Sequence, residues 1–461
     1  MNDVETKLEA LKTFTTQAML EHHVPGVSIG LSVDGAEHYI SLGVTSVTNP
    51  LPITADTLFQ IGSTTKTFTA TAAIKLAREG LLELDAPVRR YIPDFRVADE
   101  DTSARVTVRN LLTHTSGWSG DFDLDTGDDS NALELYVRAM KDLPQITPLN
   151  ALMSYNNAAF VLLGRVIEVV SGKTLDVFVR ESILEPLDLP DTVYWAHEAI
   201  TKRTAVGHKQ SEANQTEVIP VWRLPRFDHG DGGIISSACN QLRYARFHMG
   251  QLGDAPIGNV PIDTAARLEM QTPRISAGGG SHIGLCWFVQ DRKTRDGQTL
   301  REIRHGGNVT GFQSHFWFVP NRNFAFTIMT NAETGTPLNT EVTNWVLEHL
   351  LDVSTQPPEA IAVTRAQLDA FVGWYSVPTG TADEGLEVTR DGDSLMLRVQ
   401  VPRFNLVIPP VPIAVTSENS CIVLEGPLAK IGIDFIAVEG TFRYVRAAGR
   451  IAIRAIKPEG V

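Results

Sequence analysis

Near residue 360 the texture of the chain changes, and the two sides of that break cannot share one architecture. Before it, strand-like runs lie at both ends of a long helical stretch. GVSIGLSVDG and HYISLGVTSV read as a hairpin turning at Asp34-Gly35, and LREIRHGG, SHFWFVP and FAFTIMTNA bring strands back late. Between them VRNLLTHTSG, NALELYVRAMKDL and NNAAFVLLGRVIEVVSG carry helical periodicity. Strands from both ends with helices inserted fit one sheet carrying a helical subdomain, an α+β arrangement rather than βαβ alternation. After the break, LDVSTQPPEAIAVT reads as a linker. LEVTRDGDSLMLRVQ, FNLVIPP, SCIVLEGP, GIDFIAVEG, FRYVRAAGR and IAIRAI are then short alternating runs punctuated by Gly, Pro and Asp. Such spacing predicts a small antiparallel barrel or sandwich. Two domains are expected, 1–355 and 365–461.

Charge removes several functions. A net charge of −14 over 461 residues argues against nucleic acid as a main partner, because phosphate binding needs clustered Lys and Arg. No apolar run reaches the length of a membrane span. The first residues, MNDVETKLEALKTF, carry acids and helical periodicity rather than a basic and apolar leader, so a cytoplasmic protein is expected. Cys239, Cys286 and Cys421 fit no disulfide or metal spacing and read as small buried side chains. Asp121, Asp123, Asp125, Asp128 and Asp129 in GDFDLDTGDDS glance at a calcium loop, but the glycine stands one place too early. A solvated loop at a cleft rim is expected instead. Adjacent His22 and His23 cannot chelate from one helix face, and no metal is predicted.

The chemistry-bearing residues fall in three places. Ile61-Gly62-Ser63-Thr64-Thr65-Lys66 puts a serine at a helix start with a lysine on the same face one turn later. A serine hydroxyl needs a base, and a lysine serves as one only if its pKa falls well below about 10.4. Helix-start N–H groups are also suited to an oxyanion. Tyr155-Asn156-Asn157 opens a helical run with a phenol and an amide two places apart. His305-Gly306-Gly307-Asn308 ends a strand with a glycine pair over which a substrate backbone can come close. Trp222 in VIPVWRLP is either a cleft wall or a core aromatic.

Taken together, Ser63-x-x-Lys66, Tyr155-x-Asn157 and His305-x-Gly307, with LFQIGSTTKTFTA, GLLELDAPVRRYIPDF, VRNLLTHTSG and GDGGIISSACNQLRYARF in the same order, resemble the serine penicillin-binding-protein and class C β-lactamase superfamily. The resemblance implies a β-lactamase-like antiparallel sheet with an inserted helical subdomain. It implies Ser63 as the acylated nucleophile, Lys66 as its base, Tyr155 as proton relay and Asn157 as orienting Lys66 and the acyl chain. His305 would stand on the strand facing them, with the Ser63 and Asn308 N–H groups as oxyanion hole. His305 replaces the lysine of penicillin-binding proteins, and a partly charged imidazole weakens the case for penicillin carboxylate binding. With the β-rich C-terminal part read as a lipocalin-like barrel, the whole chain resembles the penicillin-binding-protein-type thioesterases that release and macrocyclise nonribosomal peptides. That resemblance implies a linear peptidyl thioester substrate ending in a D-residue, a peptidyl carrier protein as partner and no cofactor. It also implies substrate contacts from Asp231, Gly306, Gly307 and Arg446, the last otherwise an ordinary strand arginine. A D-stereospecific hydrolase, an aminopeptidase or esterase with water as acceptor, uses the same catalytic groups.

Overall fold

A computed structural model describes residues 3–252, 260–377, 384–402 and 406–458. Helix α1, Asp3–Glu21, leads into strands β1, Gly26–Val33, and β2, Ala36–Gly43. Asp34 and Gly35 turn this hairpin with φ of 51° and 87°, the doubly left-handed turn that matches strand twist. The later strands are β3 (Ile275–Gly278), β4 (Ser281–Ile283), β5 (Phe288–Lys293), β6 (Thr299–Val309), β7 (Phe312–Val319) and β8 (Phe324–Thr330). They join the first two in one antiparallel sheet of order β2-β1-β8-β7-β6-β5-β4-β3. The pairing of β1 with β8, Ile29 opposite Ile328, is the closure from both ends that the sequence predicts.

Period-two alternation sends side chains to two separate cores. Trp317 and Val319 of β7 pack with Leu11 of α1 and with Val342 and Val346 of the C-terminal helix Gly335–Leu350. Phe316 and Phe318 face the other way, toward helix α2 (Thr65–Arg78), helix Ala238–His248 and the helical subdomain, where Phe68 and Leu242 lie in the same core. Helix α3, Asn157–Ser171, is capped by the Asn156 side chain on the Ala159 N–H at 2.8 Å and stopped by left-handed Gly172. His248-Met249-Gly250 is a helix terminus, as its sequence reads.

The C-terminal part resolves the choice between barrel and sandwich. Eight strands form a closed antiparallel barrel in sequential order, the up-and-down topology of lipocalins. They are β9 (Gly373–Ser376), β10 (Gly385–Asp391), β11 (Ser394–Val401), β12 (Leu406–Ser417), β13 (Ser420–Val423), β14 (Gly432–Val438), β15 (Thr441–Ala447) and β16 (Arg450–Ala455). Trp374 opposite Ala455 closes it, through a strand too short and too close to the linker to stand out by alternation. Phe404 and Asn405, which open the FNLVIPP run, lie outside the described residues. Phe371, Tyr375 and Phe435 fill its core with edge-to-face rings.

Candidate active site

The turn that carries Ser63 is a single 3₁₀ turn, Gly62–Thr64, placed directly ahead of α2 rather than inside it. Gly62 has φ of +51°, and a Cβ there would meet the Asn308 backbone N at 2.8 Å. A Cβ on Gly307 would come within 1.8 Å of the Ile61 carbonyl oxygen. Backbone therefore lies on backbone where β6 crosses this turn, a contact only glycine permits. The Ser314 hydroxyl of β7 donates to the Ile61 carbonyl at 2.9 Å and fixes the turn from below.

Lys66 is fully buried and donates to the Ser63 Oγ at 3.1 Å and to the Asp231 carbonyl at 2.8 Å. The Asp231 carboxylate stands 3.5 Å from its Nζ. The Tyr155 phenol is in polar contact with Ser63 and Lys66, and the Lys66 Nζ sits 5.0 Å from the Tyr155 ring centre. Burial pulls the Lys66 ammonium down, but Tyr155 and Asp231 outweigh it and hold the group above its usual value. The resting amine is thus a cation, and the condition for Lys66 to act as a base is not met until a proton leaves it. Burial raises the Tyr155 phenol against the pull of Lys66, and burial raises Asp231 to about 6.

His305 lies on β6 beside this group, 3% exposed, with its Nδ1–H donating to the Gly306 carbonyl at 2.8 Å. Burial, reinforced by the Lys66 cation, lowers its pKa to about 3, so the ring is neutral where the sequence implies partial charge. Its Nε2 is buried and has no partner. Asn308 and Gly306 are exposed at the end of the same strand.

Other predicted residues have different neighbours. The Asn157 amide donates to Asp121 at 3.0 Å, while the Asp231 carbonyl is the acceptor that Lys66 uses. Trp222 is part-buried in the core, its indole N–H on the Ala205 carbonyl at 2.9 Å and its own carbonyl accepting from Gln60. Arg446 donates through Nε to the Met153 carbonyl at 3.3 Å and lines a cavity of ≈ 980 Å³ between the β3–β4 hairpin and the barrel.

The barrel residue that reaches the Tyr155 ring is Arg450, 5.3 Å from its centre. It grips Asp121 through two hydrogen bonds of 2.6 and 2.8 Å. The neighbouring Gly449 carbonyl accepts the Tyr155 N–H at 2.8 Å, and the Ser154 hydroxyl accepts the Ile451 N–H at 3.2 Å. The β15–β16 turn is thereby docked on the backbone at Ser154 and Tyr155. The sequence hides this contact, since AAGR reads only as the end of a short alternating run. Asp125 and Asp128 are engaged by Arg223. Among the described residues no group of three metal-type ligands converges, and no helix is long and apolar enough to cross a membrane.

Fold and site define a serine enzyme of the Ser-x-x-Lys type, on an antiparallel sheet roofed by helices. The chain belongs to the beta-lactamase family, whose model matches residues 9–350. It is 32% identical over 367 residues to penicillin-binding protein 4 of Amycolatopsis lactamdurans, covering 78% of this chain and 92% of that one. To the unguisins hydrolase ungD' of Aspergillus campestris it is 27% identical over 356 residues, 73% of this chain and 63% of that one. In structure it is similar to SurE, with a TM-score of 0.77 at 22% identity over 98% of this chain and 100% of that one. SurE with D-Leu gives a TM-score of 0.74 at the same identity and coverage. That likeness spans the barrel as well as the sheet.

Proposed function

We propose that the protein takes a linear peptide from a thioester onto Ser63 and releases it by head-to-tail cyclisation. The observation that carries the reading is the Lys66–Ser63 hydrogen bond with Tyr155 in polar contact with both, beneath a turn of the barrel. One proton leaves the Lys66–Tyr155 pair before it acts as base, and the pair then accepts the Ser63 proton as Oγ bonds the thioester carbon. The backbone N–H groups of Ser63 and Asn308 hold the oxyanion, and the C–S bond breaks to release a thiol. The peptide's own amine next attacks the acyl-serine, passes a proton to Tyr155 or Lys66, and expels Ser63 as the alcohol.

Gly307 lets β6 lie against the Ser63 turn, and the exposed edge of β6 at Gly306 meets the backbone of the acyl chain. Asn157, held by Asp121, offers its buried and otherwise unpartnered Oδ1 to a substrate N–H. Asp231 sets the charge of Lys66, Trp222 braces the turn before Ser63 through Gln60, and Arg446 meets the distal peptide in the large cavity. The bound D-Leu of the SurE structure supports a D-residue at the acyl end. A carrier protein or a pantetheine arm delivers the thioester. Cyclisation outruns water because a well-placed amine reaches effective molarities of about 10⁵ M or more.

The similarity to a hydrolase of unguisins favours a second reading, the same acyl-enzyme released by water. A peptidyl-pantetheine thioester ending in a D-residue separates the two by mass spectrometry. Cyclic product is expected. Linear acid alone would establish the hydrolase, and absence of an acyl-Ser63 adduct would overturn both.

A further inference from the structure

We infer that His114 is a positioning residue that sets where the Tyr155 phenol stands between Ser63 and Lys66. The inference rests on the acyl-serine reading above. His114 follows the short helix Val108–Leu112 and is fully buried, with a left-handed φ of 54°. From that conformation it holds the chain on both sides of Tyr155. Its carbonyl accepts the Ser154 N–H at 2.9 Å, and its Nδ1 accepts the Asn156 N–H at 3.0 Å. Its ring stacks on the Tyr155 ring with centres 4.5 Å apart and planes at 28°, and Phe160 backs it at 5.0 Å. One side chain and one carbonyl therefore fix the backbone before the tyrosine, the backbone after it and the ring itself.

An acceptor at Nδ1 places the proton of the neutral ring on Nε2, and that atom is buried with no partner. A residue kept only for packing would be better as Phe or Leu, which leave no orphaned donor. The cost makes sense if the Nδ1 acceptor is what the site requires. Lys66 from α2, His305 from β6 and Arg450 from the barrel are the charged and titratable groups that act on this ring, with burial the largest influence. Burial and the Lys66 and Arg450 cations favour the neutral form, so the Nδ1 lone pair stays available to Asn156 beside an equally neutral His305. A protonated ring would set two donors against each other there.

The test uses the full chain and a small D-aminoacyl thioester, read by thiol release and by the mass of acyl-Ser63. His114→Phe keeps a stacking ring and removes the acceptor. His114→Asn keeps an acceptor near the Nδ1 position and tolerates the left-handed backbone. For H114F, kcat is expected to fall about 10²-fold with KM within about threefold, the signature of a displaced catalytic group. H114N is expected to recover at least about tenfold of that loss. In a Tyr155→Phe background neither substitution should lower kcat further, because His114 acts only through the phenol. A folded H114F with kcat within about threefold of wild type, or a loss fully additive with Y155F, overturns the inference. Should H114F not fold, H114N in the two backgrounds decides by the same additivity criterion. Thiol release that survives Ser63→Ala would instead overturn the acyl-serine reading, and an inactive S63A beside an unaffected H114F overturns His114 alone.

Discussion

Lys66 can be found in the sequence by its spacing from Ser63, but its charge cannot. That charge follows from a balance of burial against Tyr155 and the Asp231 carboxylate, residues 89 and 165 positions away in the chain, which only the folded chain brings together. The balance has a sign that can be checked. Removing the carboxylate removes a stabiliser of the ammonium, so Asp231→Asn lets the Lys66–Tyr155 pair lose its proton more readily. The acidic limb of the kcat/KM profile, on which activity rises as the pair deprotonates, is expected to move to lower pH by about one unit in D231N. An unmoved limb would show that Asp231 does not set the pair's charge. The same logic explains His305. Its strand position is legible from LREIRHGG, but its neutrality comes from burial beside Lys66. The Asn157 contact was beyond sequence reasoning for a related reason: Asp121 competes for the amide, and Asp121 belongs to a loop that reads only as a solvated rim.

At the scale of elements, the site is made by β6 lying against the turn that carries Ser63. The sequence identifies both pieces, a strand ending at His305-Gly306-Gly307 and a helix starting at Ser63, although Ser63 stands in a 3₁₀ turn ahead of that helix. Their contact is set by two missing side chains. Gly307→Ala would force a Cβ into the Ile61 carbonyl, so the strand must retreat and carry Asn308 away from Ser63. G307A is expected to destabilise the protein by about 1–3 kcal/mol in thermal unfolding, the usual cost of overpacking. Thiol release should fall by about 10²-fold or more, the loss that follows removal of an oxyanion donor. Retention of full activity would mean that β6 does not supply that donor. The short strand β9 shows the converse. GWYS carries too few residues for its alternation to register, and it became a strand only because barrel closure required a partner for β16.

In the whole molecule the barrel is bound into the site. Its β15–β16 turn supplies the acceptor for the Tyr155 N–H, and Arg450 ties the barrel to Asp121 and through it to the start of α3. Deleting the barrel should therefore lower Ser63 acylation itself as well as the ratio of cycle to acid. A truncated chain that acylates at the wild-type rate would show the contact to be incidental. Arg450→Ala removes two charge-assisted hydrogen bonds to Asp121 and is expected to cost about 1–3 kcal/mol of stability. The double variant with Asp121→Asn should recover much of it, as a differential melt would show. The amino-acid sequence by itself determined the strands and helices that carry a clear period, their order along the chain and the short-range pairing of Ser63 with Lys66. Those depend on periodicity, turn chemistry and helix geometry, which act within a few residues. Only the tertiary structure decided which groups are charged, which barrel arginine faces Tyr155 and that the β-rich part closes on itself. Burial, Coulomb interaction and strand closure depend on distances in space between residues far apart in the chain.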